Sequence, residues 1–310
     1  MSVKRLDLVG IGNAIVDVLS HESEAFLLEH ELAKGAMTLI DTERAESLYA
    51  AMGSGIEVSG GSAANTIVGA ASFGGQCGFI GRVRNDQLGG IYRHDIAAAG
   101  VAFTNPPATE GPTTGRSLIV VTPDAQRTMN TYLGAAVQLG PDDLDHEMIA
   151  RAKVLYMEGY LWDAAPAKQA FIEAAKTAHK AGGKVALTLS DSFCVERHRD
   201  GFLELLKGHV DLLFANEEEI LSLYQVRNFD EALQRVRGHC DVAALTRSAK
   251  GSVVVAVRLK PDWLNRRRGV IPFKTRTRLN RHTAGLVLSG CFGWGCLGAQ
   301  QIFHFIGNKH

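Results

Sequence analysis

Apolar and polar positions follow two rhythms along this chain. Short, nearly unbroken apolar runs recur at residues 6–11, 78–80, 118–121, 154–157, 185–189, 212–214, 242–245 and 253–257. Runs of that length without polar interruption predict strands covered on both faces, as in a parallel sheet. Between many of them lie segments with helical spacing, at 63–72, 89–99, 167–181, 202–207, 217–224 and 229–237. Strands alternating with helices of this length predict an α/β fold, a doubly wound and mostly parallel sheet with helices on both faces. In such sheets ligands sit beyond the carboxyl ends of the strands. Two stretches fit the rhythm less well. Residues 33–41 read as a lone strand, and 115–132 as two strands turned at Pro123–Asp124; together they predict a small β appendage beside the main sheet.

Composition refines this picture at a few points. A length of 310 residues exceeds what one core usually supports, which predicts one large domain with an appendage, or two domains. The formal net charge is zero, so the totals suggest neither a nucleic-acid nor a membrane-surface partner. The total conceals a break: through Val257 there are 23 Lys+Arg against 32 Asp+Glu, and from Arg258 onward 10 against 1. Cys77, Cys194, Cys240, Cys291 and Cys296 are scattered, with no CxxC pair, which fits reduced thiols in a cytoplasmic protein better than a disulfide framework or a zinc site. No signal-peptide pattern precedes the first strand, and the uncharged stretch 284–299 is glycine-rich and short for a membrane span.

Four segments could carry chemistry. In GIGNAIVDV, residues 10–18, a dinucleotide fingerprint would need a third glycine where Ile15 stands, so a generic dehydrogenase is disfavoured. What remains is a strand end followed by Asp17, read either as an acceptor for vicinal hydroxyls or as a surface aspartate at a turn. In SGGSAANTI, residues 59–67, two glycines and a run of small residues open a helix, where backbone can approach a ligand and Asn65 can both donate and accept. In FANEEEI, residues 214–220, the acidic residues either compensate a helix dipole or place Asn216 and Glu219 to reach a phosphate-bound Mg²⁺ through water. ALTRSAKGS, residues 244–252, reads as a hairpin turn or as a strand-end hydroxyl for nucleotide phosphates.

Taken together, GNAIVD, GGSAAN, QRTMNTYLGA, LTLSDSFCV, FANEEE and TRSAKGS stand in the order and approximate spacing of the PfkB carbohydrate kinase family, and the chain resembles that family over roughly residues 5–257. LTLSDSF and VDLLFANEEE are most similar to its adenosine kinase branch. The resemblance implies a ribokinase-like fold with a small β lid, drawn from about 33–41 and 115–133, in a monomer or homodimer. It implies ATP and Mg²⁺ as cofactors and a small nucleoside or sugar as substrate. By position, Asn13, Asp17, Gly60, Gly61 and Asn65 would form the substrate pocket, and Phe193 could line its base side. Arg127 would meet the transferring phosphoryl group, where a guanidinium stabilises spreading charge. Asn216, Thr246 and Gly251 would serve the nucleotide, and Glu219 the metal. Adenosine, phosphorylated at its ribose 5′-hydroxyl, is the expected substrate. A ribose or hexose kinase and a non-catalytic nucleoside-binding protein are the alternatives.

One family element is missing. The resemblance implies a D-T-x-G-A-G-D segment whose backbone N–H groups hold phosphate and whose last aspartate takes the proton from the attacking hydroxyl. After Asp262 there is no aspartate or glutamate, and the nearest remnant, His282-Thr283-Ala284-Gly285, lacks the acid. A reading-frame shift near Val257 accounts for the lost pattern and the charge reversal together; a diverged tail is the alternative. Either way, weak or absent turnover is expected.

Overall fold

A computed structural model describes residues 5–256. Residues 258–310, with the expected atypical tail, the stretch 284–299, Cys291 and Cys296, lie outside the described residues. In chain order the elements are β1 (Leu6–Ile11), β2 (Ile15–His21), α1 (Glu24–Glu29), β3 (Met37–Leu39), α2 (Thr42–Ala51), β4 (Ile56–Gly60) and α3 (Ser62–Ser72). Then come β5 (Cys77–Ile80), α4 (Gln87–Ala98), β6 (Val101–Ala102), β7 (Thr114–Val121), β8 (Arg127–Gly134), α5 (His146–Arg151) and β9 (Ala152–Glu158). The rest are α6 (Ala165–Lys180), β10 (Lys184–Thr188), α7 (Ser192–His209), β11 (Leu212–Asn216), α8 (Glu217–Tyr224), α9 (Phe229–Val236), β12 (Val242–Thr246) and β13 (Ser252–Ala256).

Eight strands form the main sheet in the order β13-β12-β11-β10-β9-β1-β5-β6. All its pairings are parallel except β12 with β13, a hairpin closed across the 246–252 turn. The apolar strands read in the sequence are apolar because both faces are covered. In β9, Leu155 and Met157 join one core with α5 to α9, while Val154 and Tyr156 join a second core with α3 and α4.

The β appendage is larger than expected. It is a five-stranded sheet, β3-β8-β7-β2-β4, into which β2 and β4 are recruited beside the three expected strands. Asp17 therefore lies in the middle of a strand and not at a strand end or turn. The inter-strand register assigns its faces. Val16, Val18, Leu118 and Val120 are buried on the side of α2 and α4. The opposite face carries Asp17, Ser117 and Thr131, with Leu19, Met37, Leu39, Ile56, Val58, Ile119 and Met129 around them. On that face Leu39 is 54% and Ile56 68% exposed, an open apolar surface with a carboxylate among its few polar groups.

Candidate functional site

The chain leaves the main sheet for the lid at Gly12–Ala14, between β1 and β2, and returns at Gly61, between β4 and α3. Both crossings lie near the carboxyl end of β1, where a parallel sheet offers its ligand site. Gly61 adopts φ +98°, and a Cβ there would stand 2.2 Å from the Asn13 carbonyl oxygen, so the close crossing requires glycine. Gly60 lies against the Asp17 carboxyl: an added Cβ would come within 2.4 Å of both Cγ and Oδ1. The two glycines thus leave Asp17 beside bare backbone.

Asn13 is 2% exposed, and its Oδ1 has no partner among the described residues. Its backbone N–H and its Nδ2 donate to Glu158 Oε2 and Oε1, at 3.1 and 3.2 Å. Ala63 N–H, in the first turn of α3, donates to the same Oε2 at 3.2 Å. Glu158 ends β9 in phase with Val154 and Tyr156, so its side chain falls on the α3 side of the sheet, 1% exposed. Sequence reading did not single it out. A carboxylate closing an apolar strand at the sheet's ligand edge was the available signal.

Asn65 is half-buried on the first turn of α3, its N–H bonded to the Gly61 carbonyl at 2.8 Å. Arg127 opens β8 opposite Val121, close enough to lower the Asp17 pKa. No described contact ties Phe193 to this group. It sits on the first turn of α7, beyond β10, and is 71% exposed. The apolar groups sharing a face with Asp17 come from the lid.

A second set gathers at the ends of β11 and β12. Asn216 and Glu219 form a reciprocal cap on α8. Glu219 N–H donates to Asn216 Oδ1 at 2.7 Å, while Asn216 N–H and Nδ2 donate to the Glu219 carboxyl at 3.0 and 2.5 Å. Both side chains are thus engaged at the start of α8, and among the described residues no group of three or more His, Cys, Asp or Glu side chains could hold a metal. Glu219 fits a metal only through intervening water, which is how Mg²⁺ is often held. Thr246 pairs with Asn216 in the strand register, and Gly251, at φ +88°, closes the hairpin turn. Arg247 holds Glu217 at 3.2 and 2.8 Å and lies 3.9 Å over the Phe229 ring, tying this turn to α8 and α9.

Burial raises three carboxyls to about 7: Asp17 despite the pull of Arg127, Glu158 despite its three N–H donors, and Glu219 despite those of Asn216. A carboxyl raised on folding binds more protons in the folded state than in the unfolded one between the two pKa values. These groups therefore make stability fall as pH rises from about 4 to beyond 7. Thermal unfolding across that range is expected to show Tm declining with pH, with a shallower decline in Glu219→Gln. An equal slope in the variant would contradict the assignment.

Comparisons with known proteins agree with this architecture. Residues 36–269 match the pfkB family carbohydrate kinases. The solved probable sugar kinase of Rhizobium etli is 43% identical, with a TM-score of 0.83, over 99% of this chain and 89% of that one. The adenosine kinase of Sinorhizobium meliloti is 44% identical, with a TM-score of 0.82 and the same coverage. A curated 5-dehydro-2-deoxygluconokinase of Shouchella clausii is 27% identical over 52% of this chain. The chain spans about half the length of the curated relatives it matches first. Sheet, lid and matches together place the chain in the pfkB family of carbohydrate kinases. Among the described residues, no helix is long and apolar enough to cross a membrane.

Proposed function

We propose that this chain binds a nucleoside, adenosine by preference, in a pocket built for ATP-dependent phosphorylation of the ribose 5′-hydroxyl, and that as written it turns over weakly or not at all. The observation that carries the reading is the setting of Asp17: a carboxylate beside bare glycine backbone, on a lid face that is mostly apolar and open at its margins. A carboxylate accepts bonds from two vicinal hydroxyls, while the apolar face suits a purine better than a bare sugar or hexose. The unpartnered Oδ1 of Asn13 offers a further acceptor. The similarity to the Sinorhizobium meliloti adenosine kinase supports the nucleoside reading.

In this reading Arg127 meets the transferred phosphoryl group from the lid. ATP lies at the ends of β11 and β12, by Asn216, Thr246 and Gly251, and Glu219 orients metal-bound water. Mg²⁺ would neutralise charge on the phosphates. The alternative of a binding protein without turnover is favoured by one observation: no acidic residue follows Asp262 to serve as base.

Asp17→Ala is the direct test. By equilibrium dialysis it is expected to weaken adenosine binding about 10²- to 10⁴-fold, since charged hydrogen bonds to two hydroxyls are each worth about 1.5–3 kcal/mol. Because the carboxyl is already raised by burial, Tm at pH 8 is expected to hold or rise. Unchanged adenosine affinity would remove Asp17 from the pocket.

A further inference from the structure

The lid and the main sheet meet at two crossings that are distant in sequence, and one buried carboxylate touches both. Glu158 receives Asn13 N–H and Nδ2 from the outgoing crossing and Ala63 N–H from the returning one. The fit is close: a Cβ on Gly12 would stand 2.1 Å from Glu158 Oε2 and 2.7 Å from the Ala63 Cβ, so the turn admits nothing larger than glycine while Glu158 lies there. Ala63 N–H is one of the orphan donors at the start of α3, and the cap residue Gly61 has no side chain to satisfy it; Glu158 does so from a strand 95 residues away. Nδ2 donation also fixes the Asn13 amide, directing its Oδ1 away from Glu158, where it is left without a partner.

We infer that Glu158 is a positioning residue that locks both crossings between sheet and lid and, by orienting Asn13 and the Gly60–Gly61 turn, sets the nucleoside affinity of the pocket without itself touching the ligand. This rests on the nucleoside-pocket reading above. Three N–H donors converge on the carboxylate, so its ionised form is the one that satisfies them all; a proton on either oxygen removes acceptor capacity. Burial brings that protonation to about 7. The groups around it do not titrate nearby: Tyr92 on α4 lies well above its usual value, Tyr156 at about 12, Tyr160 higher still and the Cys194 thiol at about 12. Asp17, which like Glu158 acts on Tyr92, and Glu219, which like it acts on Tyr156 and Tyr160, do titrate in the same range and must be separated from it. Opening that lets water reach these amides also hydrates the carboxyl and returns it to its ordinary range, so the lock weakens as pH rises from about 5 to beyond 7, with the same sign as the stability contribution of the same group.

Hydrogen exchange and adenosine binding, measured on the full chain and on Glu158→Gln, separate the two halves of this inference. The Gln amide keeps the size but offers one neutral acceptor oxygen in place of two charged ones, so either the Asn13 and Ala63 N–H groups or Asn13 Nδ2 faces an opposing NH₂ donor. Those two amides are expected to exchange at least about tenfold faster in Glu158→Gln, and adenosine to bind about ten- to a hundredfold more weakly, the effect of losing charged hydrogen bonds. In the wild type the same two amides should lose protection, beyond the intrinsic pH effect, as pH rises from about 5 to 8; Asp17→Asn and Glu219→Gln should retain this behaviour. Unchanged exchange at Asn13 and Ala63 in Glu158→Gln overturns the lock. Faster exchange with undiminished adenosine affinity overturns the positioning role. A wild type that binds no nucleoside overturns the pocket reading and the affinity half with it, while exchange still decides the lock. If Glu158→Gln does not fold, the wild-type pH series decides, and flat protection from 5 to 8 overturns the lock.

Discussion

Phosphoryl transfer from ATP to adenosine by the 310-residue chain is expected to run at least ~10⁴-fold below that of a relative carrying the D-T-x-G-A-G-D segment. Losing a general base forfeits about 10²–10⁴-fold, and losing preorganised N–H donors to the phosphate another ~10²–10³. Neither loss is offset by what the site retains. Arg127 can stabilise charge but cannot remove a proton, and in the proposed pocket Asp17, beside Gly60, is occupied by the substrate's hydroxyls. Labelled phosphate transfer from ATP–Mg²⁺, assayed at high enzyme concentration, checks the size of the deficit. Replacing residues 258–310 with a segment bearing the motif is expected to recover at least ~10³-fold. Robust turnover by the unaltered chain would show that a base is supplied from elsewhere, and a sequence read across the junction near Val257 with no indel would remove the frame-shift explanation.

Gly61→Ala is expected to abolish detectable nucleoside binding and to lower stability by about 3 kcal/mol or more. Two effects add there. The φ of +98° is costly for a residue with a side chain, about 1–3 kcal/mol. The new Cβ would also stand 2.2 Å from the Asn13 carbonyl oxygen, an atom that cannot swing aside because the Asn13 backbone and amide are held by Glu158. Relief requires separating the two lid crossings, which takes Asn13 and Gly60 out of register. Gly74→Ala is the control: φ is +91° but nothing lies within 4 Å of its added Cβ, so it should cost only about 1 kcal/mol and leave binding intact. Denaturant unfolding and equilibrium dialysis on both variants check the contrast. Equal effects from the two substitutions would mean that backbone strain alone, and not the Asn13 contact, makes Gly61 necessary.

The main sheet was legible because its strands are buried on both faces. Segments such as VLYME, LLFAN and VAALT are continuous apolar runs that no exposed element would tolerate. The hairpin of β7 and β8 was legible from its turn residues. The lid strands β2 and β4 were not, because each has one open face: IVDVLSH carries Asp17 in mid-strand, and IEVSG leaves Ile56 and Val58 exposed. β2 gains its pairing from β7, about 100 positions away, and β4 then pairs with β2, about 40 positions before it. Helix α7 begins at Ser192, capped by Asp191, ten residues before the predicted segment, because its first turns pack few apolar side chains. In the site, Asp17, Asn13 and the two glycines could be picked out as motifs. Glu158 could not be tied to them, since its bond to Asn13 spans 145 residues and only the fold brings the two together. Phe193 was singled out by its position in the family resemblance, and on α7 it is exposed.

The central claim is that a nucleoside pocket persists in this chain, and isothermal calorimetry of adenosine and of ribose, each with and without ATP–Mg²⁺, tests it most directly. The account predicts adenosine binding in the micromolar range, with ribose weaker by at least about tenfold because it leaves the apolar lid face uncovered. Ribose binding as tightly as adenosine, or no heat from either, would contradict it.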